Sequence, residues 1–513
     1  MQLGFLQQLK EHPQLRLAAR QRELLLRDRH YPGYHFGAPE GRLNDPNGLC
    51  RWQGLWHLFY QAFPSEDGPI SWGHAVSEDL IHWKDLPYAL RPGPEPSCWS
   101  GSALVEEDRV IAMYHAPQYG NMVAVSRDPL LLQWEKLTGG AVIPAAQPGE
   151  TLPYRVYDPC IWKKGEWYYS LSGSSLPHPA TGRQTRTEFL FRSRDLVDWE
   201  YLHPFFDRDP FGGRPDMDGA CPYLWPIGEN HERDLLLHFS HLNGGQYMLG
   251  NFSAETYKFE VCNGGAFNSG SWIAGGVSAP SAAPDEKGGV IAVFTLNRAR
   301  YGGDWDQIMS LPRRFTLTGP QKDRLAVSPA GNTDSLRRGH VAHRNILLPA
   351  NEEILLPDVA GDSMELEAVF APGRIPVLEL TVLRSPGREE CTRIAVYRQR
   401  GDLNYQWLEK LGWIDSHDTI VSLDATEGSL GGDVMTRPPE IGSLFVAPEE
   451  PVRLHIFIDR CVVEVFVNDA LCLSTRVFPS RLDSRGVSLR AIGQPGRVLS
   501  LDTWQMASIY EEG

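Results

Sequence analysis

One short run of residues has the composition expected of a rigidly held carboxylate. The run Asn44-Asp45-Pro46-Asn47-Gly48 follows Tyr34-His35-Phe36 and precedes an apolar, strand-like stretch. Proline restricts the backbone beside Asp45, and Asn-Gly readily adopts the positive φ angles of a tight turn. A carboxylate held in one direction suits covalent chemistry on sugars. Asp-Pro and Asn-Gly pairs also mark ordinary turns, so this run alone leaves both interpretations open.

The composition indicates an acidic, folded protein of more than one domain. The 513 residues exceed one typical hydrophobic core, so we expect two domains. The formal net charge is −15 and no basic cluster interrupts it, which argues against nucleic acid and anionic membranes as partners. The chain has 15 Trp, 18 Tyr and 20 Phe, whose flat faces suit sugar rings, although most of them are expected to fill the core.

The cysteines favour a reducing compartment. They form no Cys-x-x-Cys pair and no zinc-type spacing, so we interpret them as reduced thiols of a cytoplasmic protein. No apolar run is long enough to cross a bilayer, and the first residues lack the pattern of a secretion signal. The eight cysteines are Cys50, Cys98, Cys160, Cys221, Cys262, Cys391, Cys461 and Cys472.

A repeat of short strands should position the carboxylate. After an amphipathic helix predicted over 14–28, which we expect to pack on the main body, five apolar runs recur to about residue 318. Between them recur Ser-x-Asp turns that lead to a tryptophan, in units of roughly 50 to 70 residues, near the size of a four-stranded blade. We therefore predict an all-β fold with a five-bladed β-propeller over 31–330, after an N-terminal extension over 1–30; an irregular β-sandwich is the alternative. The five runs are Leu55–Tyr60, Val110–Tyr114, Trp167–Leu171, Leu235–Phe239 and Val290–Phe294.

A second domain is expected after a polar linker. Residues 318–345 are polar and contain Gly, Pro and Asn, which indicates a domain boundary. Alternation resumes at Ser363–Val369 and continues in Leu454–Ile458 and Val462–Val467. This pattern favours a C-terminal β-sandwich over 340–513, without catalytic signals.

In the order of its motifs the chain resembles the family 32 glycoside hydrolases, the invertases, inulinases and levanases. The resemblance extends from about residue 30 to 513 and implies a retaining hydrolase of β-fructofuranosides. The segments that carry it are His35-Phe36 with Asn44–Gly48, Phe59-Tyr60-Gln61, Trp72–Ser77, Trp99–Ala103, Asp158-Pro159 with Trp167-Tyr168, Leu311-Pro312-Arg313 and Leu454–Pro479.

The resemblance also implies roles for individual residues. Asp45 would attack the anomeric carbon and form a covalent intermediate, and Asp158 would stabilise the charge of the oxocarbenium-like transition state. Hydrogen bonds to the sugar would come from Asn44, Gln61 and Ser100. Apolar walls would come from Trp72 and Trp99, although each of these tryptophans could equally be core. Tyr157 and Cys221, which stand within the motifs, complete the predicted substrate-binding set.

Two positions depart from the family pattern. Where the family has Glu-Cys-Pro, with the glutamate as general acid/base, this chain has Ala220-Cys221-Pro222, and alanine cannot transfer a proton. The arginine before the stabilising aspartate is replaced by Tyr157, so a charged sugar contact is missing or comes from elsewhere, for example Arg155. A later Arg208-Asp209-Pro210 triplet is interpreted as coincidental, because it is too near Cys221 and no Trp-Tyr strand follows it.

Three explanations of Ala220 stay open. A neighbouring acid replaces the glutamate, with Asp218 favoured and Asp216 and Glu229 weaker; alternatively, Ala220 is an engineered substitution of a natural glutamate. The third explanation is a divergent relative that binds a sugar or cleaves a substrate with a good leaving group. Asp218 would share its side with Ala220 on a strand, but its Cα would lie about 6.6 Å away, so a bulge would be needed.

The function is therefore predicted as hydrolysis of sucrose, a fructo-oligosaccharide or a fructan, with Asp45, Asp158 and Asp218 as catalytic residues. A carbohydrate-binding pseudoenzyme and a fructosyltransferase are the alternatives. No metal site and no cofactor are expected: His340 and His343 lack a third ligand, and the glycine-rich stretches do not follow a strand-to-helix phosphate pattern. The oligomeric state stays open, since a sandwich edge or the N-terminal helix could form a dimer.

Overall fold

The computed structural model describes residues 9, 11–64, 68–178, 180–206, 218–269, 273–373, 377–398, 419–447 and 449–510. Strands dominate these residues. None of the helices within these ranges combines the length and apolar character that crossing a membrane requires.

The N-terminal part forms five antiparallel sheets, each built from consecutive strands. The first strand of each sheet contacts the first strands of its neighbours, in the cyclic order β1, β5, β10, β14, β18 and back to β1. The sheets therefore close into a five-bladed propeller, as predicted. Its strands are β1 (Leu43–Trp52), β2 (Leu55–Ala62), β3 (Ser71–Ser77) and β4 (Lys84–Leu90); β5 (Gly101–Val105), β6 (Val110–Ala116), β7 (Gly120–Ser126), β8 (Glu135–Lys136) and β9 (Ile143–Pro144); β10 (Pro159–Lys164), β11 (Trp167–Pro177), β12 (Gln184–Ser193) and β13 (Glu200–Pro204); β14 (Ala220–Ile227), β15 (Arg233–Ser240), β16 (Gly244–Phe252) and β17 (Phe259–Ala266); and β18 (Val277–Pro284), β19 (Val290–Leu296), β20 (Ile308–Met309), β21 (Arg313–Thr318) and β22 (Arg324–Pro329).

The repeats found in the sequence have a structural meaning. Each of the five apolar runs lies in the second strand of a blade and is almost entirely buried, because neighbouring blades cover both of its faces. The Ser-x-Asp turns join the third strand of a blade to the fourth: Asp79 Oδ1 accepts from the Ile81 and His82 amides, and Asp195 Oδ1 from the Val197 and Asp198 amides. Such aspartate-capped turns fix the direction of the outer strand.

The C-terminal part is a β-sandwich of two six-stranded antiparallel sheets around one apolar core. The polar stretch predicted as a linker over 318–345 instead contains β22 and most of the first strand of the sandwich. Most residues of β23 are exposed, and those of β22, apart from Val327, are only partly buried, so the stretch reads as polar. A short 3-10 helix (Thr333–Leu336) joins them. One sheet has the order β23-β34-β25-β30-β31-β32 and the other β24-β33-β26-β27-β28-β29, built from β23 (Arg337–Leu348), β24 (Glu353–Ala360), β25 (Ser363–Phe370), β26 (Val377–Arg384), β27 (Thr392–Tyr397), β28 (Thr419–Asp424), β29 (Glu440–Leu444), β30 (Val452–Asp459), β31 (Val462–Val467), β32 (Leu471–Arg476), β33 (Gly486–Ile492) and β34 (Gly496–Met506).

The predicted helix is shorter than expected. Helix α1 (Pro13–Leu25) begins with a proline in its first turn, where the missing amide hydrogen costs no hydrogen bond. Its buried Arg22 donates to both oxygens of Asp85 at 2.8 and 2.9 Å, and to the carbonyl of Gly37 at 2.9 Å. These bonds attach the helix to the outer strand of the first blade, in agreement with the expected packing on the main body.

A buried charged network joins the two domains. His35 Nδ1 lies 2.9 Å from Asp459 Oδ2, and its Nε2 lies 3.7 Å from Glu464 Oε2. Arg313, fully buried at the end of the propeller, reaches Glu464 Oε1 at 3.1 Å. Because buried charges are costly unless paired, this cluster ties the segment before β1 to β30 and β31.

Candidate active site

The Asn-Asp-Pro-Asn-Gly run lies within a strand, not in a free tight turn as predicted. It belongs to β1, whose pairing with β2 shifts between Leu43 and Pro46 and again between Asn47 and Cys50. Asp45 lies within the first of these shifts, where three residues of β1 span two of β2, so the regular pairing is interrupted at its position. Gly48 has the expected positive φ of 50°. A Cβ there would also lie 3.1 to 3.2 Å from atoms of Ala103, Phe59 and Trp72.

Three side chains hold one oxygen of the Asp45 carboxylate. Oδ2 accepts from the Ser100 hydroxyl at 2.5 Å, from Gln61 Nε2 at 3.3 Å and from the Cys221 thiol at 3.6 Å. Asn44 in turn donates to Gln61 Oε1 at 3.0 Å. These three side-chain donors all bind Oδ2 of Asp45. Burial raises the pKa of Asp45, and the bonds from Ser100 and Cys221 oppose this rise.

Asp158 faces the same small space from the start of β10. Its Oδ2 accepts from the Cys221 amide at 3.2 Å and from the Cys221 thiol at 3.5 Å. Cys221 can do this because β14 is bulged between Ala220 and Tyr223 and the cysteine has a φ of 47°. Burial, followed by the charge of Asp45, raises the pKa of Asp158 to about 6. One thiol therefore lies between two carboxylates, and burial raises its own pKa, so it remains a donor.

Sequence reasoning missed a residue that holds the site together. The hydroxyl of Tyr223, on β14, donates to the Gly101 carbonyl at 2.8 Å, accepts from the Gly48 amide at 3.0 Å and lies 2.9 Å from Ser281 Oγ. Four blades meet at this buried atom. The position of Tyr223, two residues after Cys221, was the available signal that it lies near the site, but nothing in the sequence indicated its hydrogen-bond partners.

The predicted aromatic walls separate into one core residue and one cleft residue. Trp72 is fully buried and donates its indole N–H to the Trp99 carbonyl at 2.8 Å, so it packs behind the site and does not line it. Trp99 is partly exposed and meets His115 edge to face at 6.0 Å. His115 stacks on Tyr157 at 5.3 Å, and Tyr157 is 51% exposed. At the Tyr157 position the chain therefore exposes an aromatic ring to solvent.

The acid position lacks an ionisable group. Ala220 is buried against Cys221 and Phe239. Asp218, predicted as its replacement, uses both carboxylate oxygens on His241: Oδ1 accepts from the amide at 2.9 Å and Oδ2 lies 2.5 Å from Nδ1. Glu229 lies after the opposite end of β14 and is exposed. Asp216 and the Arg208-Asp209-Pro210 triplet lie outside the described residues.

Arg155, the alternative source of a charged sugar contact, binds a neighbouring strand. Its guanidinium donates to the Ser175 carbonyl at 3.1 Å and is exposed. Within the described ranges, the group best suited by composition to hold a metal is Glu365, Glu367 and His455 in the sandwich. The Arg337 guanidinium already lies 2.6 and 2.8 Å from these two carboxylates, so the group is an ion-pair network.

Comparison with known proteins agrees with this geometry. The model of the glycosyl hydrolases family 32 N-terminal domain matches residues 35–329, and that of the family 32 C-terminal domain matches residues 332–505. The chain belongs to glycosyl hydrolase family 32. The resemblance inferred from the motifs is thereby confirmed, and so is the fold of propeller and sandwich.

Relatives of family 32 cover almost the whole chain. A levanase of Bacillus subtilis is 26% identical, over 93% of this chain and 71% of its own length. A sucrose-6-phosphate hydrolase of Zymomonas mobilis is 27% identical, over 90% of each chain. Among solved structures, fructan 1-exohydrolase IIa of Cichorium intybus superposes with a TM-score of 0.78 at 20% identity, over 94% of this chain and 98% of its own.

Proposed function

We propose that this protein is a retaining glycoside hydrolase that cleaves β-fructofuranosidic bonds of sucrose, a fructo-oligosaccharide or a fructan. The observation that carries the proposal is the pair of carboxylates, Asp45 and Asp158, that share the Cys221 thiol at 3.6 and 3.5 Å. Such a pair suits a nucleophile and a stabiliser of positive charge on one sugar ring. Membership of family 32 supports the same reaction class.

Asp45 is the nucleophile of this reaction. Its Oδ1 attacks the anomeric carbon and forms an ester with the fructosyl unit, while the bond to the leaving oxygen breaks. Water then attacks the same carbon, the ester breaks, and the two inversions give net retention. The donors on Oδ2 from Ser100 and Gln61 fix the direction of attack before substrate arrives.

Asp158 stabilises the transition state. Positive charge develops on the sugar ring as the glycosidic bond breaks, and an ionised carboxylate beside the ring lowers its energy. Both carboxylates must be ionised, and both pKa values are raised by burial. We therefore expect kcat/KM to fall as the pH drops through about 6, the pKa of Asp158.

The test is a product screen against sucrose, 1-kestose, inulin and levan. The wild type is expected to release fructose from at least one of them, and Asp45→Asn to lose at least about 10⁴-fold in rate, since the nucleophile itself is removed. Ser102→Ala, which changes a buried hydroxyl bonded to the Ile161 amide, is the matched control and should remain active. Activity unchanged in Asp45→Asn would refute the proposal.

Ala220 favours a second candidate, a sugar-binding protein without turnover. In that case calorimetry would detect binding of a fructoside to the wild type and to Asp45→Asn alike, and neither protein would form product. Transfer of the fructosyl unit to a second sugar, in place of water, would appear as longer oligosaccharides in the same screen.

We also propose that the protein works in a reducing compartment. Carbohydrate is the only class of partner that we propose for this site. All eight cysteines are free and seven are buried, which supports a cytoplasmic location, and the net charge of −15 argues against nucleic acid and anionic membranes. Thiol titration of protein purified without reductant should find all eight thiols. Light scattering determines whether a homo-oligomer forms.

A further inference from the structure

A histidine lies opposite the missing acid. In the pairing of β14 with β15, Ala220 is the partner of Phe239. The strands are antiparallel, so Asp218, two residues before Ala220, lies opposite His241, two residues after Phe239. The His241 amide donates to the side-chain Oδ1 of Asp218 at 2.9 Å, so the two residues are in direct contact. The side chains then meet, with Nδ1 2.5 Å from Oδ2.

A short chain of contacts links the imidazole to the catalytic carboxylates. Its ring packs on Phe239 at 4.8 Å, and Phe239 packs against Ala220 and Cys221, whose thiol contacts Asp45 and Asp158. The hydrogen bond with Asp218 raises the pKa of His241 against the opposing effect of burial, and the charges of Asp218, Asp158 and Asp45 add to the rise. Its positive charge in turn opposes the raised pKa of both catalytic carboxylates.

His241 is more accessible than Asp218 and Glu188, two described carboxylates close to Ala220. Its side chain is 63% exposed, whereas that of Asp218 is 26% exposed and is bound to the histidine. Glu188 lies against Gly219, since a Cβ on that glycine would be 2.2 Å from its Oε1. Glu188, however, is fully buried, 3.8 Å from Arg186, so it is less accessible to a glycosidic oxygen than His241.

We propose that His241 is the general acid/base of this protein and that Asp218 is its positioning residue. The inference rests on the proposed fructosidase function. As the Asp45 ester forms, the glycosidic electron pair goes to the leaving oxygen, which takes the Nε2 proton of the imidazolium. The neutral imidazole then removes a proton from the attacking water, whose oxygen bonds to the anomeric carbon as the ester breaks. The imidazolium is regenerated, and Asp218 keeps Nδ1 protonated throughout.

The test compares two leaving groups. General acid help matters for methyl β-D-fructofuranoside, whose leaving alkoxide is strongly basic, and little for p-nitrophenyl β-D-fructofuranoside. His241→Gln is expected to lower kcat/KM about 10²- to 10⁴-fold on the methyl glycoside and less than about 10-fold on the nitrophenyl glycoside. The matched control is His340→Gln, which removes another exposed histidine paired with an aspartate, Asp502, at 2.8 Å in the sandwich. It should change neither rate.

A pH profile separates catalysis from a structural role. With a general acid of raised pKa, kcat/KM on the methyl glycoside falls on the alkaline side as His241 loses its proton. Asp218→Asn removes the carboxylate that raises this pKa, so the alkaline limb should move to lower pH. The other charged groups that act on His241, Asp45 and Asp158, are unchanged in this variant.

The outcomes distinguish failure of the fructosidase function from failure of the role assigned to His241. If the wild type cleaves neither glycoside, the proposed function fails. If it cleaves the nitrophenyl glycoside only, or if His241→Gln slows both glycosides equally or neither, the fructosidase function stands and the assignment of His241 is refuted. A selective loss in Glu188→Gln, with none in His241→Gln, would transfer the role to the buried glutamate.

Discussion

Replacing Asp158 by asparagine should remove activity and, at neutral pH, stabilise the fold. The pKa of Asp158 is raised from 3.8 to about 6, first by burial and then by the charge of Asp45. A carboxyl group with a raised pKa binds its proton more tightly in the folded state. Its contribution to stability is therefore present at low pH and is lost as the pH rises through the folded-state pKa.

The size of this effect follows from the shift. A shift of about 2 units, at 1.36 kcal/mol per unit, gives a loss of up to about 3 kcal/mol between pH 4 and pH 7.5. Asparagine is neutral at every pH, and its carbonyl can still accept from the Cys221 amide, which lies 3.2 Å from Asp158 Oδ2. Relative to the wild type, Asp158→Asn should thus gain up to about 3 kcal/mol between these pH values.

Urea unfolding followed by tryptophan fluorescence measures the effect, because twelve of the fifteen tryptophans precede residue 330 and report on the propeller. Asp79→Asn is the control. Burial opposes the change, but hydrogen bonds from His82 and Ile81 lower the pKa of Asp79, so its contribution is lost only below its ordinary pKa of 3.8, and its removal should cost nearly the same stability at pH 7.5 and at pH 4. An Asp158→Asn midpoint equally displaced at both pH values would refute the reasoning.

Three further predictions concern the groups around the site. Ser100→Ala removes a bond of 2.5 Å that lowers the pKa of Asp45, so the acidic limb of kcat/KM should move to higher pH, with a loss of about 10-fold or more; an unmoved limb would contradict this. Tyr223→Phe leaves the buried Gly48 amide without its 3.0 Å partner and should lower the free energy of unfolding in urea by about 1–3 kcal/mol. An unchanged midpoint would show that the hydroxyl does not stabilise the fold. The pKa of His35 is raised to about 9 by two buried carboxylates of the sandwich, against the opposing effect of burial. The free energy of unfolding of the wild type should therefore fall between about pH 6.5 and 9, and His35→Gln should lack this pH dependence.

The architecture was readable from the sequence because its signals are local. Central strands such as β2 and β6 are apolar on both faces, and aspartate-capped turns repeat with them at blade length. The carboxylates Asp45 and Asp158 were likewise predictable from their motifs. The polar residues over 318–345 were interpreted as a linker because β23 is a largely exposed strand and the side chains of β22, apart from Val327, are only partly buried.

The remainder of the site depends on register, which the sequence does not reveal. Whether Trp72 lines the cleft or packs behind it depends on the face of β3 that meets the neighbouring blade. The pairing of Asp218 with His241 depends on which residue of β15 stands opposite Ala220. A shift of one residue would have reversed both outcomes, since successive side chains on a strand point to opposite faces.

The central claim is that Asp45 forms a covalent bond to the substrate. The most direct measurement is mass spectrometry of peptides from wild-type protein quenched in acid during turnover of p-nitrophenyl β-D-fructofuranoside. The peptide that contains Asp45 should be heavier by one fructosyl unit, and the adduct should be absent from Asp45→Asn. An adduct on another carboxylate, or turnover that leaves the Asp45 peptide unmodified at every quench time, would contradict the account.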